Sequence, residues 1–266
     1  MILDTLAASS KKRAEAAKEK IPMDQMRKLA LAALDDEKDS PDGRVFEQAL
    51  KKKSMSFLCE VKRASPSKGI IAEDFPYVEI VKEYEKAGAD AISVLTEPDY
   101  FLGKNEYLSE IRKSVSLPLL RKDFTVDPYQ IYEAKVLGAS AVLLICSLLD
   151  TSTLKEYLTI CDSLGLSALT EAHDEREIHS ALMAGARIVG VNNRNLKNFD
   201  VNLDTCLRLR SLVPDPVIFV AESGIRTKED IRSLADAGVN GVLIGESLMK
   251  SENKKELLES FQRAAT

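Results

Sequence analysis

The sequence predicts an α/β protein of the (β/α)8 TIM-barrel class with a helical extension at its N-terminus, and three observations carry that prediction. First, one phrase recurs four times: "AGADAISVL" (87–95), "LGASAVLLI" (137–145), "AGARIVGVN" (184–192) and "AGVNGVLIG" (237–245). In each, a helix ends, a glycine (Gly88, Gly138, Gly185, Gly238) suits the left-handed cap position, and a β-branched apolar run follows. Second, a further apolar run lies midway in each interval: "PLLRKDF" (118–124), "LSALTEA" (166–172) and "PVIFVAES" (216–223), with "SFLCEVKR" (56–63) before them all. Third, amphipathic segments such as "PYQIYEAKVLG", "DEREIHSALMAG" and "TKEDIRSLADAG" follow the strands. Regular strand–helix alternation means parallel strands with helical crossovers. Eight such units close into a barrel in preference to an open doubly wound sheet.

Taken in order, residues 1–45 stand outside the repeat. "LAASSKKRAEAAKEK" and "MDQMRKLALAAL" read as one or two helices laid across the barrel, either as a stabilising cap or as a wall of a site. Residues 46–266 then form the barrel, and the whole is expected to be a single domain. At the fifth strand, Leu166 to Leu169 supply the apolar run. Asp174 and Glu177 have the D-x-x-E spacing of a helix-capping pair, with Glu175 and Arg176 in the first solvated turn. His173, in the connecting loop, is read as structural.

Composition narrows the function classes. No apolar run is long enough to cross a bilayer, and the first residues lack the basic-then-apolar layout of a signal peptide, so a soluble cytoplasmic protein is expected. The net charge of −5, with Lys and Arg dispersed, argues against nucleic-acid or membrane partners. "KKRAEAAKEK" reads as a solvated helical face. Cys59, Cys146, Cys161 and Cys206 are far apart and suit buried, reduced thiols. No metal is expected, because His173 and His179 fall on different helical faces and no Cys/His cluster exists.

Chemistry in this barrel sits at the C-terminal ends of the strands. Charged residues there are unusual, since both faces of a parallel strand are normally covered. Glu60 and Lys62 alternate on one face of the first strand, and Lys122 ends the third. Glu171, Asn192 and Glu222 end the fifth, sixth and seventh. One such residue could be a structural ion pair, but six at one level define a site, because burying unpaired charge costs several kcal/mol each. Arg121 and Asp123 flank Lys122 and should face the helices. The fourth strand ends in the plainer "ICSLLD". After the last two strands, "ESGI" (222–225) and "IGESL" (244–248) place glycine turns and a helix start where this barrel often holds a phosphate. Backbone N–H groups at Ser223, Gly224, Gly245 and Glu246 would face it.

With these strand ends assembled, the sequence resembles the indole-3-glycerol phosphate synthases, ring-closing enzymes of tryptophan biosynthesis. "EVKRASPSKG", "SVLTEPDYFLG", "RKDF", "VNNRNL", "ESGI" and "GVLIGESLM" carry the resemblance in the family's order. It runs from about residue 45 to the C-terminus and takes in the N-terminal helices. It implies a phosphate-binding barrel, no cofactor, and conversion of 1-(2-carboxyphenylamino)-1-deoxyribulose 5-phosphate to indole-3-glycerol phosphate, CO2 and water. By resemblance, Lys122 is the general acid on the ribulose carbonyl oxygen, and Glu171 the base or relay of the later dehydration. Glu60 and Asn192 hold ribulose hydroxyls and order the acid–base pair, Lys62 lies near the substrate's anionic groups, and Ser223 joins the catalytic set. Ser65 and Ser67 belong to a mobile loop after the first strand. Arg194 faces the anthranilate carboxylate, while Phe101, Phe124, Leu143 and Leu196 line the ring pocket; Glu222 and Ile244 complete the substrate contacts. A lysine acid works best with its pKa lowered and a glutamate base with its pKa raised, and so charged a mouth can tune both. Ala221 departs from the serine common in the family. A monomer is preferred to a dimer, and other tryptophan-pathway enzymes are candidate partners. The rival readings are a phosphoribosylanthranilate or histidine-pathway isomerase, or an inactive barrel scaffold.

Overall fold

The computed structural model describes residues 2–35, 44–52, 54–195 and 199–266. Eight parallel strands form a closed barrel: β1 (Ser56–Val61), β2 (Ala91–Leu95), β3 (Leu119–Lys122), β4 (Ala141–Ile145), β5 (Ser167–Ala172), β6 (Ile188–Asn192), β7 (Ile218–Glu222) and β8 (Gly241–Ile244). Each pairs with its successor, and β1 closes the ring by pairing with both β2 and β8. All eight strands lie inside the predicted apolar runs. The four cap glycines take positive φ, between 74° and 94°.

The extension consists of α1 (Ile2–Lys20) and α2 (Met23–Asp35). A short α3 (Val45–Leu50), which the periodicity did not predict, follows. Its Phe46 and Leu50 are fully buried and pack with Leu58, Leu120, Ile188 and Ile218 in the barrel interior, so α3 plugs the end of the barrel away from the mouth. Arg187 holds Glu47 of α3 at 2.8 Å.

α1 lies across the opposite end, over the loops after β2 and β3. Arg13 is the fastener: it pairs with Asp123 at 2.7 Å and Glu97 at 3.2 Å, both buried. Ser10 Oγ donates to the Phe124 carbonyl at 2.5 Å, Lys18 reaches Asp127 at 2.6 Å, and Ser9 bonds Asp99. These contacts are polar because the loops that α1 covers present four carboxylates and a backbone carbonyl that need partners. Its apolar residues Ile2, Leu3 and Leu6 therefore project into the mouth.

The crossover helices are α4 (Tyr77–Lys86), α5 (Asn105–Arg112), α6 (Tyr129–Val136), α7 (Thr151–Ser163), α8 (Glu175–Ala184), α9 (Asp204–Leu209) and α10 (Lys228–Asp236). α11 (Glu246–Lys250) and α12 (Lys254–Ala264) close the chain. The outer core between barrel and helices contains Val61, Ile92, Leu144, Phe219 and Ile244. Asp174 caps α8 as its spacing predicts, accepting from Glu177 N at 2.8 Å. The Glu177 carboxylate, however, accepts from His173 N rather than from Asp174, one residue back from a closed capping box.

Candidate active site

Strand alternation decides which residues enter the barrel. The register pairs Glu60 with Ser93, Glu171 with Gly190, and Asn192 with Glu222 on adjacent strands. Interior positions are therefore apolar below (Leu58, Leu120, Leu169, Val220) and charged above (Glu60, Lys122, Glu171, Glu222). The six polar strand-end residues predicted from sequence line one cleft.

Lys122 is its hub. The Nζ lies 3.4 Å from Glu171 Oε2 and 3.4 Å from Glu222 Oε2. Lys62 Nζ pairs with Glu60 Oε1 at 2.6 Å, and Glu60 Oε2 accepts from Ser93 Oγ at 3.3 Å. Ser93 was not picked out in the sequence, and only the β1–β2 register reveals it.

The charge states follow from burial and neighbours, and they differ from the tuning expected from sequence. Burial works against the Lys122 ammonium, but Glu222, Glu171 and Glu60 outweigh it and hold the pKa above the ordinary lysine value. Burial would raise Glu171 and Glu60 too. For Glu171, Lys122, His173 and the Asn192 amide reverse the direction; for Glu60, Lys62 and Lys122 do so, and both carboxyls titrate low. The carboxyl that burial does raise is Glu222, pushed up to about 8 because Glu171 and Glu60 add repulsion that Lys122 does not cancel. At the floor of the mouth Lys122 is thus held as an ammonium and Glu60 and Glu171 as carboxylates, while Glu222 keeps its proton to about pH 8.

His173 is the second departure. It has two acidic neighbours: its Nε2 lies 3.3 Å from Glu171 Oε1, and its Nδ1 3.0 Å from Glu177 Oε2.

The apolar side of the cleft is formed by Phe101 and Phe124, whose ring centroids are 6.2 Å apart, with Leu143. Leu95, Ile145, Leu243 and the α1 residues Ile2, Leu3 and Leu6 add to it. The α1 residues went unnamed in the sequence; Leu3, Leu6, Ser10 and Ala14, buried at successive steps of three and four, are the signal that could have found that face, though not what it packs against. Ile244, expected at the substrate, is corrected by the same alternation: it faces the outer core, and Leu243 faces the cleft. Leu196 lies outside the described residues. Arg194 lines the cleft and donates to the Phe199 carbonyl at 3.2 Å. The loop after β1 folds into a small antiparallel hairpin, Ala64–Ser65 against Gly69–Ile70, that turns Ser65, Pro66 and Ser67 to the cleft. Arg121 and Asp123 bond outward to α6 and to Arg13 as expected, and Asp123 also reaches the cleft's edge.

At the β7 and β8 ends, Ser223 and Gly224 both take left-handed φ, 66° and 83°. Consecutive residues of this kind turn backbone N–H groups toward one side. Asn193 supports the turn by donating to the Ser223 carbonyl at 3.1 Å. Gly245 is needed for close approach: a Cβ there would stand 2.5 Å from Glu60 Oε1 and 2.9 Å from Lys62 Nζ. Glu246 pairs with Lys250 at 2.7 Å, and its other carboxylate oxygen lies 3.9 Å from Arg194 at the cleft.

A closed parallel barrel whose mouth gathers an ammonium between opposed carboxyl groups, beside an anion-suited turn, has the architecture of an enzyme of the (β/α)8 class with groups suited to acid–base chemistry. Among solved structures, a thiamine phosphate pyrophosphorylase from Pyrococcus furiosus matches with TM-score 0.61 and 18% identity, over 83% of this chain and 97% of that one. A 3-hexulose-6-phosphate synthase from Salmonella typhimurium matches with TM-score 0.66 and 13% identity, over 79% and 98%. These share the fold. Sequence comparison goes further. The family model described as indole-3-glycerol phosphate synthase matches residues 3–261. The indole-3-glycerol phosphate synthase of Ruminiclostridium cellulolyticum is 57% identical, covering 94% of this chain and 95% of its own, and that of Lachnoclostridium phytofermentans 51% identical, covering 98% and 99%. The chain belongs to the indole-3-glycerol phosphate synthase family.

Proposed function

We propose that this mouth performs the family's reaction, the decarboxylating ring closure and dehydration of 1-(2-carboxyphenylamino)-1-deoxyribulose 5-phosphate, by lysine–glutamate acid–base catalysis. The observation that carries the assignment of roles is the position of Lys122, a largely but not fully buried ammonium 3.4 Å from two carboxyl groups at the floor of the cleft. As the anilino ring carbon attacks the ribulose carbonyl, negative charge develops on its oxygen. Lys122, held charged by its neighbours, gives that oxygen a proton. The transfer is downhill because an alkoxide is a far stronger base than an amine.

Glu171, ionised and adjacent, is the base of the later dehydration, and Asn192 holds it in place. Glu60 orients Lys62 and the ribulose hydroxyls. Phe101, Phe124 and Leu143 receive the aromatic ring, with Arg194 toward its carboxylate. The Ser223–Gly224 turn, Gly245, Glu246 N and Lys62 receive the phosphate, where backbone donors and an ammonium converge. Four buried thiols suit a reducing cytoplasm, and a closed barrel leaves no strand edge to pair between copies, which favours a monomer.

The test is Lys122→Ala beside the shape-conserving Lys122→Met. Loss of general acid action lowers kcat/KM by about 10²–10⁴, or about 3–5 kcal/mol, in proteins whose circular dichroism is native. Near-normal turnover by either folded variant removes Lys122 from the mechanism.

A further inference from the structure

Glu171 is held between Lys122 and His173, and of the two only Lys122 lines the cleft. Lys122 Nζ approaches its Oε2 at 3.4 Å from the cleft side, and His173 Nε2 approaches its Oε1 at 3.3 Å from behind. Two contacts to one carboxylate hold the histidine. Its Nδ1 lies 3.0 Å from Glu177 Oε2, and its backbone N–H donates to the same oxygen at 2.8 Å. This fastening leaves Nε2 aimed at Glu171, buried and without an aligned hydrogen bond. At the outer end, the His173 and Glu177 side chains each retain 19% exposure. Glu171, His173 and Glu177 thus form a line from the floor of the mouth to solvent.

The reaction assigned to the mouth needs such a line. A carbon–carbon bond forms between ring and ribulose, and the ring carboxylate leaves as CO2 with its bonding electrons staying on the ring. The former carbonyl oxygen collects two protons and departs as water. The carbon attached to the anilino nitrogen loses one proton as the new ring becomes aromatic. The carboxylate enters ionised, so each turnover consumes one proton net, and solvent has to supply it while the substrate fills the cleft over Lys122 and Glu171.

We infer that His173, steered by Glu177, is a positioning and proton-delivering residue that connects Glu171 to solvent during ring closure. The inference rests on the reading of the mouth given above. The groups facing the imidazole come from several elements: Glu171 and Asp174 on its own segment, Glu177 on α8, Glu222 on β7 and, beyond Glu171, Lys122 on β3. The Cys146 thiol after β4 lies in the field of the same carboxylates. Burial disfavours the imidazolium, but Glu177, Glu171 and Glu222 overcome it and raise the pKa above the usual histidine value. The ring therefore keeps its proton to higher pH than an ordinary histidine and surrenders it as pH rises further.

The experiment compares wild type, His173→Gln and Glu177→Gln at saturating substrate across the pH range. Glutamine keeps a donor near Glu171 but cannot pass a proton on. In His173→Gln, kcat is expected to fall about 10-fold or more with KM little changed, and the alkaline limb of the kcat profile to disappear. Added imidazole should restore kcat in a saturable way, and Glu177→Gln should move the same limb. An unchanged kcat profile overturns the relay, as does a loss in which KM rises in parallel and imidazole restores nothing. If His173→Gln is normal while Lys122→Met is inactive, the relay alone has failed. If Lys122→Met is also normal, the reading of the mouth has failed with it.

Discussion

Replacing Gly190 by alanine tests whether the mouth's geometry is set by a missing side chain. Gly190 sits on β6 between the carboxyl groups of β5 and β7, and an alanine Cβ there would stand 2.2 Å from Glu222 Oε1 and 3.1 Å from Leu169 Cδ1. The first contact is impossible, so the Glu222 carboxyl has to withdraw by roughly an ångström to reach normal separation. It has little room, being buried and held 3.4 Å from Lys122. Overpacking of this kind costs about 1–3 kcal/mol, or a melting temperature lower by a few degrees to about 10 °C in a chain of this size. Misplacing a catalytic group by about 1 Å costs roughly 10²-fold in rate. Differential scanning calorimetry and steady-state formation of indole-3-glycerol phosphate measure the two effects side by side. A Gly190→Ala protein with wild-type melting temperature and turnover would refute the argument that the empty Cβ position admits Glu222.

The other predictions follow from the same contacts. The Glu222 pKa is raised, so the folded state binds a proton that the unfolded state releases, and this contribution to stability is lost as pH rises from the ordinary carboxylate range through about 8. Urea unfolding at several pH values should show that loss in wild type and not in Glu222→Gln; parallel curves would mean Glu222 titrates normally. Arg13→Ala leaves buried Glu97 and Asp123 without their shared cation and should destabilise by up to about 3 kcal/mol, tempered by the partial exposure of Arg13. Limited proteolysis should then cut near α1 sooner and KM should rise, because Ile2, Leu3 and Leu6 no longer hold the cleft wall; an unaltered KM would show that α1 is only a cap. Phe46→Ala opens a cavity in the barrel plug and should cost about 3–5 kcal/mol of stability while the folded fraction keeps its kcat, and a selective loss of kcat would contradict the placing of α3 away from the mouth.

Much of the molecule was legible in the sequence because it rests on local periodicity. Cap glycines followed by β-branched runs specify helix ends and strand starts without any knowledge of neighbours, and eight repeats leave few ways to close. The same periodicity named Glu60, Lys62, Lys122, Glu171, Asn192 and Glu222, since a charge at the end of a parallel strand is conspicuous against an apolar run. The resemblance put Ile244 at the substrate, one position off, because "GVLIG" is apolar on both faces and only the pairing of Leu243 with Glu222 on β7 shows which side points inward. α3 went unread because its six residues are too few to display a helical period.

What the tertiary structure alone decided are the relations between residues distant in the chain. Sequence named the charges, but their protonation depends on distances between side chains on different strands, which is why Glu222 rather than Glu171 carries the raised pKa. His173 looked idle until folding brought α8 back over the end of β5. The N-terminal segment read as helix laid across the barrel, either cap or wall, and only its docking through Arg13 to the ends of β2 and β3 made its apolar residues part of the cleft. Periodicity is a property of neighbours along the chain, whereas charge state, clamping and closure are properties of neighbours in space.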